Sequence, residues 1–125
     1  MEQLLAEGTK YVFGNPGSTE LAFMDGLQDY PQLQYILGLH ETVPLAMAEG
    51  YGRATHKPAV VNVHIAPGLA NAMSMIYNAA KSGAPMVVTV GQQDTRFLQT
   101  EPLLSADLVR FSQPWVKYAA ETSRA

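Results

Sequence analysis

A chain of 125 residues with 47% apolar side chains is long enough to bury one core, and it lacks the glycine and proline excess of a disordered segment. Its formal charge of −3, with no basic run, argues against a nucleic-acid or anionic-membrane partner. The absence of cysteine excludes disulfides, thiolate catalysis and cysteine-ligated zinc, and accords with a cytoplasmic location.

The first residues, Met1 to Gly8, have neither a basic start nor a long apolar run, so they do not read as a secretory signal. They read as the last turns of an amphipathic helix ending at Gly8, from a slightly shortened N-terminus. No apolar stretch nears the ~20 residues needed to cross a bilayer. A first strand-like run, Tyr11-Val12-Phe13, leads into Gly14-Asn15-Pro16-Gly17-Ser18 and a helix carrying Leu21, Met24 and Leu27. A second run, Tyr35 to Leu39, passes through His40 and Glu41 into a long helix to about Thr55. Within that helix Ala46, Ala48, Gly50, Gly52 and Ala54 predict the close approach of another helix, inside the domain or across a subunit interface, because interior glycine costs about 1 kcal/mol against alanine. Met47, Tyr51, Met73 and Met75 read as packing rather than as a cofactor box.

A third run, Ala59 to His64, precedes a helix that places Leu69, Ala72, Met73, Ile76, Tyr77 and Ala80 on one face and stops at Gly83-Ala84-Pro85. The fourth, Met86 to Val90, ends at Gly91-Gln92-Gln93-Asp94. Thr95 to Ser105 reads as a loop, Asp107 to Phe111 as a short helix, and Trp115 to Tyr118 as a last strand. Strands alternating with helices predict a three-layer α/β fold, a parallel central sheet with helices on both faces, over a single domain 1–125. Each strand-like run ends in polar, glycine or proline residues. A parallel sheet gathers those ends on one edge, where open α/β sheets bind ligands.

Three places at that edge could carry chemistry. Glu41 opens a helix whose positive end lowers a carboxyl pKa, while burial would raise it; by position alone it is equally a solvated first-turn glutamate. His64 is either a satisfied core histidine or a proton donor near neutral pH, whereas His40 and His56 read as peripheral and the three histidines do not form a metal site. The loop Gly14 to Ser18 could cradle an anion on backbone amides, but it matches neither the dinucleotide nor the phosphate-loop pattern, and Ser18 or Thr19 could simply cap the helix.

Taken in order, Phe13-Gly14-Asn15-Pro16-Gly17-Ser18-Thr19-Glu20-Leu21, Leu39-His40-Glu41, Ala48 to Pro58, Val63 to Met73 and Gly91-Gln92-Gln93 resemble the N-terminal, pyrimidine-binding domain of thiamine-diphosphate enzymes, the group of benzoylformate decarboxylase and acetolactate synthase. The resemblance spans essentially the whole chain and implies the flavodoxin-like thiamine-diphosphate-binding fold. It implies that Glu41 hydrogen-bonds N1′ of the cofactor's aminopyrimidine, favouring the imino tautomer that removes the thiazolium C2 proton, with Pro16, Gly17 and Asn71 near the pyrimidine. It implies that Ser18 and His64 face a 2-oxo acid substrate and serve proton transfer. A histidine at position 64 favours a decarboxylase over an acetolactate-synthase-like carboligase, while Thr19, Ala22 and Ile65-Ala66-Pro67 depart from benzoylformate decarboxylase.

The Gly-Asp-Gly motif that binds diphosphate and Mg2+ in such enzymes does not occur here. The resemblance therefore implies that the middle and diphosphate-binding domains are absent, the latter belonging to the same protein or a partner chain. It also implies a homo-oligomer and negligible catalysis by the chain alone. An alternative is one subunit of a split enzyme; another is a non-catalytic flavodoxin-like binding module.

Overall fold

The computed structural model describes residues 1–122. Short runs rich in β-branched and aromatic residues form four strands, β1 Tyr11–Asn15, β2 Gln34–Leu37, β3 Ala59–Val63 and β4 Met86–Val90, paired in the order β2-β1-β3-β4 with every pair parallel. Five α-helices accompany them: α1 Glu2–Ala6, α2 Leu21–Gly26, α3 Thr42–Thr55, α4 Ile65–Ser82 and α5 Leu108–Ser112. α2 lies in the crossover from β1 to β2, while α3 and α4 pack on each other and on the sheet. The expected α/β architecture is therefore the observed one.

The core lies between the sheet and α3 and α4. Phe13, Val61 and Val63 meet Leu45 and Ala48 of α3 and Leu69, Ala72 and Ile76 of α4. Tyr51 turns its ring edge to Tyr11 at 5.6 Å, and Met73 and Met75 pack against the same cluster, so these residues are packing as expected. Only Met47 of that set is exposed. Both long helices end in a left-handed residue, α3 at His56 (φ 56°) before Pro58 and α4 at Gly83 (φ 68°) before Pro85.

Four expectations need correction. Trp115 to Tyr118 is not a strand: Gln113–Trp115 forms a 3₁₀ turn. Pro114 has no N–H for a ladder, and Trp115 instead sets its ring edge-on against Tyr77 of α4 at 4.9 Å. The buried stripe of α4 is Ile65, Gly68, Leu69, Ala72, Ile76 and Ala79; Tyr77 and Ala80 lie one position further round and are exposed. Leu21 is exposed, and Leu27 belongs to a separate 3₁₀ turn, Leu27–Asp29, so the apolar stripe after β1 is shorter than its spacing predicts. Gly52 faces no helix: a Cβ there would stand 2.8 Å from the Pro85 carbonyl oxygen, while one on Gly50 would meet nothing within 4 Å.

Candidate functional site

At the C-terminal edge of the sheet the chain builds two carboxylate clusters, joined by the loop that leaves β1. The first surrounds Glu41, which precedes α3 and is buried, with 6% of its surface exposed. Asn15, the last residue of β1, donates its amide to Glu41 Oε1 at 3.0 Å, and Asn71 of α4 donates to Oε2 at 2.9 Å. Thr42 in turn donates its hydroxyl to the Asn71 carbonyl at 3.1 Å, tying α4 to the start of α3. Gly68 completes the wall, since a Cβ there would lie 3.3 Å from Glu41 Oε1.

Burial pushes the Glu41 carboxyl up, but hydrogen bonds from Asn71, the backbone and Asn15, with the nearby His40, outweigh it and hold it below the usual carboxylate range. The resting group is therefore an anion. Each of its oxygens accepts one side-chain amide, which leaves lone pairs for a further donor. Such spare acceptor capacity suits the N1′–H of a protonated or imino aminopyrimidine, so the residues present fit this end of thiamine diphosphate.

The second cluster surrounds His64, the residue between β3 and α4. Its Nδ1 lies 2.8 Å from Glu20 Oε2 and 3.1 Å from Thr19 Oγ1. Glu20 is 3% exposed and also accepts the Gly17 N–H at 2.7 Å and the Thr19 hydroxyl at 2.6 Å. Glycine is required at two of these contacts: a Cβ on Gly17 would enter the His64 ring, and one on Gly91, just past β4, would strike the Glu20 carboxylate. Ile65, directly after His64, has φ 44° and is fully buried. A β-branched residue in the left-handed region is strained, and such strain concentrates at functional sites.

Three of the four polar strand ends thus converge. Asn15 reaches Glu41, while Gly17, Thr19 and Glu20 reach His64 from the same loop. Pro16 is half-buried between these contacts, and Ser18 is exposed at the start of the 3₁₀ turn Ser18–Glu20. The end of β4 contributes Gly91, but Gln92 and Gln93 donate to the carbonyls of Ala106 and Leu103, and Asp94 pairs with Arg96 on the surface. His40 and His56 are exposed, as expected. Among the described residues no group of three His, Cys, Asp or Glu is disposed to hold a metal ion.

Sequence reasoning gave no role to Asn15 or Glu20. A signal existed for Glu20: a carboxylate three residues after Gly17 has capping-box spacing, and its side chain does take the Gly17 N–H. Nothing local marks Asn15 as the partner of a glutamate on another element.

The chain is 42% identical over 126 residues to a benzoylformate decarboxylase of Pseudomonas aeruginosa, covering 99% of this chain and 23% of that protein. It is 33% identical to the acetolactate synthase large subunit of Haemophilus influenzae, of which it covers 22%. Its fold matches the thiamine diphosphate-dependent 4-hydroxybenzoylformate decarboxylase of Rhodococcus jostii RHA1 with a TM-score of 0.92 at 43% identity, over 98% of this chain and 23% of that one. The chain therefore spans under a quarter of the length of these relatives. The sequence profile of thiamine pyrophosphate enzymes, N-terminal TPP binding domain, matches residues 1–111, and the chain belongs to that family.

Proposed function

We propose that this chain is the pyrimidine-binding, cofactor-activating domain, residues 1–125, of a thiamine-diphosphate-dependent 2-oxo acid decarboxylase. The observation that carries the reading is the buried Glu41 anion, held by Asn15 and Asn71 with acceptor capacity to spare. Thiamine diphosphate, when bound, supplies the electron sink for cleavage next to the keto carbon. Glu41 would share a proton with N1′ of the heterocycle, which burial permits and bulk water would not. Pro16 and Gly17 would lie near the ring, and Asn71 would hold the carboxylate in place for it. His64 and Ser18 would face the substrate, where His64 would hold or deliver a proton.

The charged end of the cofactor, with Mg2+, falls to a diphosphate-binding domain of the same protein or of a partner chain, so the chain alone turns over no 2-oxo acid. A second copy is the expected neighbour in a homo-oligomer. Leu37, Leu39, Val43 and Met47 are exposed along the end of β2 and the outer side of α3, a patch suited to burial between subunits. No helix among the described residues is long and apolar enough to cross a membrane.

A carboligase of the acetolactate synthase kind is the second reading, favoured by the likeness to that subunit. The Glu20–His64 pair, which supplies a proton-transfer group, favours decarboxylation. Titrating the chain with thiamine while following side-chain amide resonances tests the reading. The Asn15 and Asn71 amides shift, and Glu41→Gln abolishes the shift. Unmoved amides, or equal shifts in the variant, would refute it and leave a non-catalytic binding module.

A further inference from the structure

We infer that Glu20 is a positioning residue for His64, locking the imidazole as its Nδ1–H tautomer so that Nε2 is the atom that exchanges a proton with substrate. Proton exchange at Nε2 rests on the role proposed above for His64; the tautomer stands on the hydrogen bonds alone.

The donors and acceptors around Nδ1 can be assigned one by one. The Glu20 carboxylate accepts the Gly17 N–H at Oε2 and the Thr19 hydroxyl at Oε1, at 2.7 and 2.6 Å. Thr19 has spent its only proton on Glu20, so its oxygen can only accept. Nδ1 therefore faces two acceptors, Glu20 Oε2 at 2.8 Å and Thr19 Oγ1 at 3.1 Å, and must carry the hydrogen. A hydrogen bond to a charged acceptor is about twice as strong as a neutral one, and this one is buried on the Glu20 side.

Nε2 is then the ring nitrogen left to react. It has no hydrogen-bond partner among the described residues, and the His64 side chain is 23% exposed. The ring cannot be turned to exchange the two nitrogens without loss, because its face lies against Gly17 and the Nδ1 edge against Glu20. Gly91 admits the Glu20 carboxylate from the far side. Glycine on two loops thus serves one purpose, the placement of a carboxylate behind a histidine. The same division of labour, an acceptor fixing one ring nitrogen so that the other is presented, governs histidine acid–base groups in general.

Long-range ¹H–¹⁵N spectra of the neutral His64 ring in the 125-residue chain read the tautomer directly, with no cofactor present. The wild-type ring is the Nδ1–H form. Glu20→Gln, whose carbonyl still accepts, retains it; Glu20→Ala lowers the ratio of Nδ1–H to Nε2–H by at least about tenfold. Thr19→Val, which leaves the carboxylate in place, changes the ratio little. A wild-type ring in the Nε2–H form would overturn the inference even if Glu20→Ala failed to fold, as would a folded Glu20→Ala with an unchanged ratio. Because the readout needs no thiamine, its failure leaves the Glu41 assignment standing, and failure of the thiamine titration leaves the tautomer result standing.

Discussion

Asn71 donates its side-chain amide to Glu41 Oε2 at 2.9 Å, joining α4 to the residue that opens α3 across thirty positions of sequence. This contact, with the backbone, Asn15 and the nearby His40, keeps the carboxylate charged, because burial alone would push it toward the neutral acid. The charge of Glu41 and the stability of the fold are therefore coupled at one group.

Asn71→Ala should show that coupling through its pH dependence. The folded carboxyl lies below its unfolded value, so its contribution to stability is present above about pH 4.3 and is lost as pH falls through the folded pKa. Removing the Asn71 donor moves the carboxyl back up and costs about 1–2 kcal/mol at neutral pH. Urea unfolding should show wild type and variant converging as pH drops below about 4. A gap that stays constant across that range would mean Asn71 acts through packing alone.

The two glycines of α3 make a matched pair. Gly50→Ala meets open space in an exposed helix interior and should stabilise by about 0.5–1 kcal/mol. Gly52→Ala gains the same propensity but drives a Cβ against the Pro85 carbonyl, and should destabilise by about 1–3 kcal/mol. Thermal melts of the two variants should thus move in opposite directions. Equal shifts would refute the contact.

The C-terminal segment should be held chiefly by aromatic packing. Trp115, the sole tryptophan, meets Tyr77 edge-on at 4.9 Å, and Val116 packs against the core. Tyr77→Ala should cost about 1–2 kcal/mol, shift the Trp115 fluorescence to the red and speed amide exchange in α5 without altering exchange in β3. Unchanged fluorescence would show that Trp115 is held by something other than Tyr77.

These contacts also explain what could be read in advance. β1 to β4 and α3 and α4 were legible because apolar periodicity and the Gly and Pro stops act locally, and a parallel sheet then brings the strand ends together without further information. Glu41 and His64 could be singled out because they stand at such ends. Resemblance to the family also marks Asn71, but the contacts that tune Glu41 and His64 are not legible in the sequence. Asn15 and Asn71 reach Glu41 from elements 26 and 30 positions away, and Glu20 reaches His64 across 44, distances over which spacing carries no signal. Trp115 to Tyr118 misled for the same reason: its composition suits a strand, but the contact that fixes it, Tyr77, lies on a helix.

A polar ladder beneath the sheet gives the last test. Tyr35 of β2 reaches across Gly14 of β1 to donate to Asn62 Oδ1 at 3.3 Å, and Asn62 donates to Thr89 of β4 at 3.2 Å. Gly14 permits this, since a Cβ there would collide with the Tyr35 hydroxyl. Burial, aided by the charge on Glu20, raises the Tyr35 pKa well above that of free tyrosine. The folded value exceeds the unfolded one, so this group's contribution to stability is whole below about pH 10 and is lost as pH rises beyond it. Tyr35→Phe should cost about 1 kcal/mol at neutral pH and flatten the alkaline fall in stability, and wild-type tyrosinate absorbance should retain one tyrosine that ionises only on unfolding. Equal alkaline slopes in the two proteins would place the hydroxyl in contact with solvent and break the ladder at its first rung.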